Sequence, residues 1–363
     1  MEPSSATAPG APVTRDVPAL TPGAADAARP RTASRQAVVV AALVALLVLA
    51  VGASLAVGSR PLPLGTVWQA LWSPVAGDND HLVVRDLRLP RTVVGLVAGA
   101  ALGLSGALLQ GLTRNPVADP GLLGINAGAS LAVVVAVTTT GVTAASGLVW
   151  FAVAGAAVAG AVVLVVASLG WGGATPVKLA LVGAAVNAVA TSLLTLVVLG
   201  DRTTLDVYRF WSVGSLSSRG WDVVVATGPL VAVGVLLALG SARFLDAMAL
   251  GDDLARGLGQ RVGLGRAVVL VASVLLAGGA TALAGPVVFV GLVVPHAVRL
   301  LVGQGHRLVL PCSLLAGPVL LLVADVVGRV VVPPSELQAG LVVALVGAPV
   351  LVAVVRRSRA VTA

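Results

Sequence analysis

Apolar runs of about twenty residues recur along the chain, and short polar segments separate them. A helix needs about twenty consecutive apolar residues to cross the hydrocarbon core of a bilayer, so each run predicts one membrane span. The predicted spans cover residues 36–57, 91–110, 121–138, 144–168, 176–199, 221–240, 265–284, 287–303, 308–328 and 337–355. Ten spans place both chain ends on the same side of the membrane.

Glycine and proline shape this pattern at two places. Gly285 and Pro286 form a turn signal between the seventh and eighth spans, and one kinked helix is the alternative there. Gly95, Gly99 and Gly103 repeat at intervals of four within the second span. Such a stripe of small residues predicts a helix face on which another helix packs closely.

Two segments stand outside the spans. Residues 62–73 are short and amphipathic, and their Trp68 and Trp72 suit a helix in the headgroup layer. The first 35 residues are rich in Pro, Ala, Thr and Ser, which predicts a disordered tail rather than a core. A cleaved signal peptide is the alternative, but the run that follows is longer than a typical signal core. The predicted organisation is a disordered cytoplasmic tail over 1–35, a membrane domain over 36–357 with a charged cytoplasmic loop at about 241–264, and a cytoplasmic tail over 358–363.

Composition excludes a soluble fold and sets the orientation. The 363 residues are 58% hydrophobic and only 10% charged, against about 25% charged residues in ordinary soluble domains. Fifteen of the 23 basic side chains fall on the side of the termini, and cytoplasmic loops carry such an excess. We therefore predict an all-α, multi-pass protein of the cytoplasmic membrane with both termini in the cytoplasm. No basic run is interleaved with aromatic residues, so nucleic acid is not an expected partner.

The chain lacks the residues of several kinds of chemistry. It has no P-loop sequence, so it should not hydrolyse ATP itself, and we expect no catalytic residues. Cys312 is the only cysteine and His296 has no nearby metal-ligand neighbour in sequence, so we expect no metal site. Asp325 is the only acid well inside a span, whereas ion-coupled carriers usually need ionisable relays at membrane depth.

Six segments in register resemble one family. They are LRLPR (87–91), SGALLQ (105–110), TRNPVADPGLLG (113–124), LGDDLARGLG (250–259), AGPVVFVGLVVPH (284–296) and GAP (347–349). Together they resemble the FecCD-type permeases of ATP-binding-cassette (ABC) importers for iron-siderophores, haem and cobalamin. The resemblance covers roughly residues 36–357.

This resemblance implies a fold and a set of partners. The family has ten membrane helices per permease, and two permeases, identical or merely similar, stand side by side in the lipid. Two ATPase subunits dock below and an extracytoplasmic substrate-binding protein docks above. The permease itself is expected to carry no cofactor, because ATP and Mg²⁺ bind to the ATPase partners.

The resemblance also implies roles for particular residues. The coupling segment, which in the family forms two short helices that sit in a groove of the ATPase, consists here of Leu250, Gly251, Asp252, Asp253, Leu254, Ala255, Arg256, Gly257, Leu258 and Gly259. Asp252, Asp253 and Arg256 are expected to make polar contacts with the ATPase, and Leu254 and Leu258 apolar ones.

Docking and gating residues follow in the same way. Arg88, Arg91 and Arg329 match outward-facing arginines that pair with acids on the binding protein, and anchoring to lipid headgroups is the alternative. Thr175 falls where the family has a small polar pair at the cytoplasmic gate. Asp119, by contrast, is placed to cap the helix that starts near Gly121, a structural role.

Together these features predict the permease of an ABC importer for a ferric siderophore, working by alternating access driven by a separate ATPase. Cobalamin or haem is the alternative cargo. An ion-coupled secondary transporter is the alternative class, and a structural or signalling membrane protein is the third reading.

Overall fold

The computed structural model describes residues 29–58, 60–169, 175–217, 219–332 and 335–362. Within these ranges every regular element is a helix, as expected where lipid cannot satisfy backbone groups and each segment must bond to itself. The disordered tail predicted for the first 35 residues lies outside the described residues up to position 28.

The first half of the chain runs through α1 (Arg29–Ala56), α2 (Leu64–Trp72), α3 (Asn79–Leu82), α4 (Leu89–Thr113), α5 (Ile125–Thr140), α6 (Ala145–Ser168) and α7 (Pro176–Gly200). A π-helical turn over Val83–Arg88 joins α3 to α4, and a 3-10 turn over Pro120–Leu123 precedes α5. The second half runs through α8 (Arg202–Ser212), α9 (Trp221–Gly240), α10 (Ala242–Ala249), α11 (Asp252–Gly257), α12 (Val262–Ala284), α13 (Val290–Val302), α14 (His306–Val331) and α15 (Ala339–Thr362).

Each of the ten predicted spans coincides with one helix. Seven helical stretches among the described residues are long and apolar enough to cross a membrane. The other three predicted spans correspond to the shorter apolar helices α5, α13 and α15. α1 begins at Arg29 and α15 ends at Thr362, so the boundaries predicted at 35 and 358 both fall inside helices.

α12 and α13 are separate helices, so the alternative of one kinked helix is wrong. α12 ends at Ala284, and Gly285 takes a φ of +74°, which a residue without a side chain adopts easily. The backbone N–H of Ser215 donates to the Ala284 carbonyl at 2.7 Å, so the turn is also tied to the loop before α9.

α4 lies at the centre of the bundle, and its backbone touches the backbone of α14 at Gly99. A Cβ added to Gly99 would lie 2.6 Å from the Cα of Pro318, and one added to Gly317 would overlap the Gly99 carbonyl. A similar contact with α13 occurs further along α4, where a Cβ on Gly106 would overlap the carbonyl of Gly291. The close-packing face predicted from the glycine stripe is therefore confirmed.

The outer helices expose apolar side chains. Leu196 and Leu199 of α7 are exposed, and so is Val189 on the same helix. Such a surface is stable only in lipid or against another apolar protein. α5 and α6 form a pair of their own, because a Cβ added to Gly155 would overlap the Gly128 carbonyl.

The amphipathic segment near residue 68 is a helix, as predicted. α2 buries Val67 and Ala70 and exposes Trp68 and Trp72, whose ring centroids lie 5.5 Å apart. Its tryptophans therefore form one exposed aromatic face.

Side-chain bonds define the two ends of the bundle. Arg114, at the end of α4, bonds Asp252 of α11, and we call this the α11 end. Arg329, near the end of α14, donates to the Ser54 and Val57 carbonyls at the end of α1, and we call this the Arg329 end. α1 thus starts, and α15 finishes, at the α11 end, because α15 begins where Leu337 donates to the Gly328 carbonyl.

Candidate functional site

Two short helices, α10 and α11, lie at the α11 end, and we call them the coupling region after the role that the resemblance implies. Sequence reasoning placed both within Leu250–Gly259, but the structure puts only α11 there and places its companion, α10, immediately before it. Gly251, at a φ of +111°, separates the two, because this conformation interrupts a right-handed helix. α10 buries Phe244 and Met248, so it holds the region to the bundle.

The coupling segment exposes three leucines. Leu250, Leu254 and Leu258 are 60%, 61% and 61% exposed. Leu254 and Leu258 stand four residues apart on α11 and its C-terminal cap, whereas Leu250 lies before the break at Gly251. Ala255 is fully buried and faces the bundle. Exposed leucines on a charged segment indicate a surface that another molecule covers.

Asp253 and Arg256 are the charged residues beside these leucines on α11. The side chain of Asp253 is 98% exposed and bonds Arg256 at 2.7 Å, one helical turn away. An exposed pair at this spacing stabilises a helix by only a few tenths of a kcal/mol. Both charges are therefore available to a partner at little energetic cost.

Asp252 faces the opposite way, into the protein. One carboxylate oxygen accepts from Arg114 at 2.7 Å and the other from Arg266 at 2.6 Å. Desolvation raises the pKa of Asp252, but the two guanidinium groups outweigh it and hold the pKa below its ordinary value. Asp252 thus ties α11 to α4 and α12, and its predicted contact with the ATPase stays a prediction.

Arg114 adopts an unusual backbone conformation for this bond. It caps the end of α4 with a φ of +52°, in the left-handed region that non-glycine residues rarely enter. The neighbouring segment is held by Asp119, whose carboxylate accepts from the Gly121 N–H at 2.8 Å. The predicted capping role of Asp119 is confirmed, and burial raises the pKa of its carboxyl to about 6.

The three arginines predicted to dock a binding protein meet at the Arg329 end, but two of them are buried. Arg88 donates to the Leu55 and Ala56 carbonyls, each at 2.7 Å. Arg329 donates to Ser54 and Val57 carbonyls at 2.7 and 3.0 Å. The last carbonyls of a helix have no partner within the helix, and these two guanidinium groups supply the donors for α1.

A buried acid joins two of the three arginines. Asp325 is fully buried and bonds Arg329 as well as Arg91, the latter at 2.8 Å. Arg91 also bonds Glu336 at 2.8 Å, and among the three arginines its side chain reaches the surface with 14% exposed. We call Arg88, Arg91, Asp325, Arg329 and Glu336 the arginine cluster. Outward docking by Arg88 or Arg329 would require breaking their bonds to α1.

Sequence reasoning missed this cluster, although one signal was present. Asp325 and Arg329 stand four residues apart, the spacing of a helical ion pair, and Asp325 is the only acid well inside a predicted span. A buried acid at that depth needs a cationic partner, so the pair could have been proposed from the sequence.

The predicted gate residue Thr175 is the N-cap of α7. Its hydroxyl accepts from the Lys178 N–H at 3.4 Å, a long capping bond. The neighbouring Ala174 lies outside the described residues. The geometry therefore gives Thr175 a structural role at the α11 end of α7, and its gating role stays a prediction.

No group of three or more His, Cys, Asp or Glu side chains among the described residues is arranged to hold a metal ion. The arginine cluster and the contacts of Asp252 are built from arginine–carboxylate bonds.

Comparison with known proteins gives one consistent result. Residues 46–357 match the model of the FecCD transport family. The ferric enterobactin transport system permease protein FepD of Escherichia coli (strain K12) is 45% identical over 322 residues, which cover 89% of this chain and 96% of FepD. The probable siderophore transport system permease protein YfiZ of Bacillus subtilis (strain 168) is 38% identical, over 90% of this chain and 98% of YfiZ.

A solved structure shares the fold. It is described as an inward-facing conformation of a metal-chelate type ABC transporter, and it superposes with a TM-score of 0.76 at 26% sequence identity. The match covers 87% of this chain and 98% of that one. The family match over residues 46–357 and the identity to FepD show that the chain belongs to the FecCD transport family.

Proposed function

We propose that this permease carries a ferric siderophore across the cytoplasmic membrane. Support comes from the relatives: FepD is named for ferric enterobactin at 45% identity, and YfiZ for a siderophore at 38%. The hemin permease HmuU of Yersinia pestis and the cobalamin permease BtuC of Halobacterium salinarum are each 35% identical. Haem and cobalamin therefore remain the alternative cargoes, and a cargo test has to compare all three.

Energy enters through the coupling region. The observation that carries this proposal is the exposure of Leu250, Leu254 and Leu258 on a segment that Asp252 fixes to the bundle. A partner ATPase that covers the leucines can displace α11, and the bonds from Asp252 to Arg114 and Arg266 transmit that displacement to α4 and α12. A loop without such bonds would absorb the movement.

The orientation follows from charge. The basic side chains are concentrated on the side of the termini, and the structure places the start of α1 and the end of α15 at the α11 end. We therefore assign the α11 end to the cytoplasm, where ATP is available, and the Arg329 end to the outside.

The outer face receives the binding protein. Arg91 and Glu336 form the exposed edge of the arginine cluster, and we propose that they provide its contact surface. Arg88 and Arg329 support that surface by fixing the end of α1, in place of the direct docking or headgroup anchoring expected of them.

A second permease covers the exposed apolar face of the bundle. The outward side chains of α7 need lipid or protein against them, and a cargo path between two permeases would be lined by such weakly binding surfaces. Thr175, at the α11 end of α7, is the proposed polar residue of the gate.

An ion-coupled mechanism has less support from the geometry. Asp325 already bonds two arginines, and a carboxylate held in this way is a poor proton or sodium relay.

Uptake assays test the proposal. The permease is reconstituted in vesicles alone and with its ATPase and binding protein, and uptake of a ferric siderophore, haem and cobalamin is compared. We expect siderophore uptake that requires ATP and all components. Uptake by the permease alone under an ion gradient would instead establish a secondary carrier, and ATP-driven uptake of only haem or cobalamin would correct the cargo.

A further inference from the structure

A second polar site lies at the α11 end, apart from the coupling segment. It is a cavity of about 400 Å³ between the ends of α4 and α13 and the start of α14. Its polar lining consists of Gln110, Arg114, His296, Arg299, Gln304 and His306. We call it the basic cavity.

The lining of the basic cavity carries one arginine that no described acid pairs. Arg114 and Arg299 both contribute to the lining, and none of the described lining residues is acidic. Arg114 is already bonded to Asp252. Arg299 instead donates through Nη1 to the amide oxygen of Gln110 and makes no ion pair with any described acid. A guanidinium in this position keeps donors free for an anion.

Gln110 is oriented so that it holds Arg299 in place. Its amide nitrogen donates to the carbonyls of Gly291 and Leu292 at 3.1 and 3.2 Å, which leaves its oxygen for Arg299. The guanidinium is therefore preorganised by a neutral group that does not satisfy its charge.

His306 lies beside Arg299 but does not add a donor for an anion. Its backbone N–H and its Nδ1 both bond Asp246, at 2.7 and 2.9 Å. In a neutral ring whose Nδ1 donates to that carboxylate, the buried Nε2 is an acceptor and cannot donate to an oxyanion. Arg299 is therefore the cation on which binding of an anion in this cavity depends.

We propose that the basic cavity binds a phosphate-type oxyanion, either the headgroup of an anionic phospholipid or inorganic phosphate. The planar guanidinium of Arg299 matches a phosphate through two parallel bonds, and the Gln304 amide on the same lining can donate a further bond. Leu300, which also lines the cavity, is 64% exposed beside it and offers a surface for an acyl chain. This inference needs neither a cargo nor an ATPase.

Native mass spectrometry of the purified full-length chain tests the site, with phosphatidylglycerol and phosphatidylcholine added in turn. The test variant is Arg299→Gln, and the control is Arg307→Gln, which removes an equal charge from an exposed position outside the cavity. We expect Arg299→Gln to bind phosphatidylglycerol about tenfold more weakly, as for one lost charge-assisted bond, and the control to match the wild type. Binding of phosphatidylcholine should be weak in all three.

Two further measurements test the cavity with a second variant and with a soluble anion. Gln304→Glu adds an acid at an exposed position of the cavity lining, so it should fold normally and weaken anion binding by repulsion. Inorganic phosphate, compared with chloride at equal ionic strength, tests the soluble source through the shift in thermal unfolding. Stabilisation by phosphate without selective lipid binding supports the site with a soluble anion. If neither ligand binds, or if Arg299→Gln and Gln304→Glu behave as Arg307→Gln does, the proposal is wrong.

Discussion

Asp252 and Arg266 join the short helix α11 to the start of membrane helix α12 through a 2.6 Å ion pair. The adjacent acid, Asp253, is almost fully exposed and bonds only within its own helix. Two neighbouring carboxylates therefore differ in role: one fixes the coupling region to the bundle, and the other is available to a partner.

Asp252→Asn should loosen α11 while leaving the bundle folded. Two charge-assisted bonds are weakened, which we expect to lower the local stability of α11 by about 1–2 kcal/mol. Hydrogen exchange of the α11 amides measures this, and it should be roughly tenfold faster in the variant. Asp253→Asn is the matched control and should change exchange little; equal effects of the two variants would contradict the internal role of Asp252.

Replacing the exposed leucines should weaken ATPase binding without affecting folding. Leu254→Ser with Leu258→Ser removes two apolar contacts, each worth on the order of 1–3 kcal/mol if the partner buries them. Co-purification with the ATPase should fall steeply and ATP-driven uptake with it. The control is Leu64→Ser. Leu64 is a similarly exposed leucine on α2, away from the coupling region. Unchanged co-purification of the double variant would refute the docking face.

Substitutions in the arginine cluster should lower stability in an order set by burial. Asp325→Asn leaves Arg91 and Arg329 without their shared acid, and breaking a buried pair costs about 3–5 kcal/mol. Glu336→Gln touches a partly exposed partner of Arg91 and should cost less than about 1 kcal/mol. Thermal unfolding in detergent measures both. A larger loss of thermal stability for Glu336→Gln than for Asp325→Asn would show that the exposed Arg91–Glu336 pair, not the buried acid, stabilises the cluster.

The backbone contact between α4 and α13 should not tolerate a methyl group. Gly106→Ala would drive a Cβ into the Gly291 carbonyl, and overpacking of this kind costs about 1–3 kcal/mol or more. Gly52→Ala in α1 has open space around it and should be neutral or slightly stabilising. Thermal unfolding of the two variants should therefore shift in different directions, and equal shifts would contradict the close contact.

Asp119 should make stability depend on pH between about 4 and 6. Its pKa is about 6 in the folded protein and near 3.8 when unfolded, so the folded state binds the extra proton across this range. Stability should therefore fall as the pH rises through the range and level off above it. Asp119→Asn keeps the acceptor for Gly121 without the charge, so it should lack this slope and be more stable by roughly 1–2 kcal/mol at pH 7. The readout is thermal unfolding from pH 4.5 to 7.5; a slope retained in the variant would assign it to another group.

Apolar length was sufficient to predict the helices. Every predicted span coincides with one helix because lipid imposes both the length of a span and its internal hydrogen bonding. The turn at Gly285 was also predictable, since glycine there permits the positive φ that ends α12. The position of α10 was not, because the family motif begins at Leu250, where α10 has already ended.

The directions and partners of these charged side chains could not be predicted from the sequence. Asp252 and Asp253 are chemically identical neighbours, and only the arrival of Arg114 and Arg266 from distant helices distinguishes them. Arg88 and Arg329 stand at helix ends, where arginines usually extend to headgroups. Here the unpaired carbonyls at the end of α1 bind them instead, and that depends on how three helices meet.

The glycine contacts in the bundle limit how the permease can change shape. α4 touches α14 backbone to backbone at Gly99 and α13 at Gly106, and α6 touches α5 in the same way at Gly155, so the helices of each group are locked together at these points. We therefore expect each group to move as one rigid body. At the seam between α6 and α12, Gly160 and Gly278 instead meet side-chain atoms of Val274 and Ala156. We expect relative movement of the two groups during transport to occur along this seam, so a crosslink across it should stop uptake.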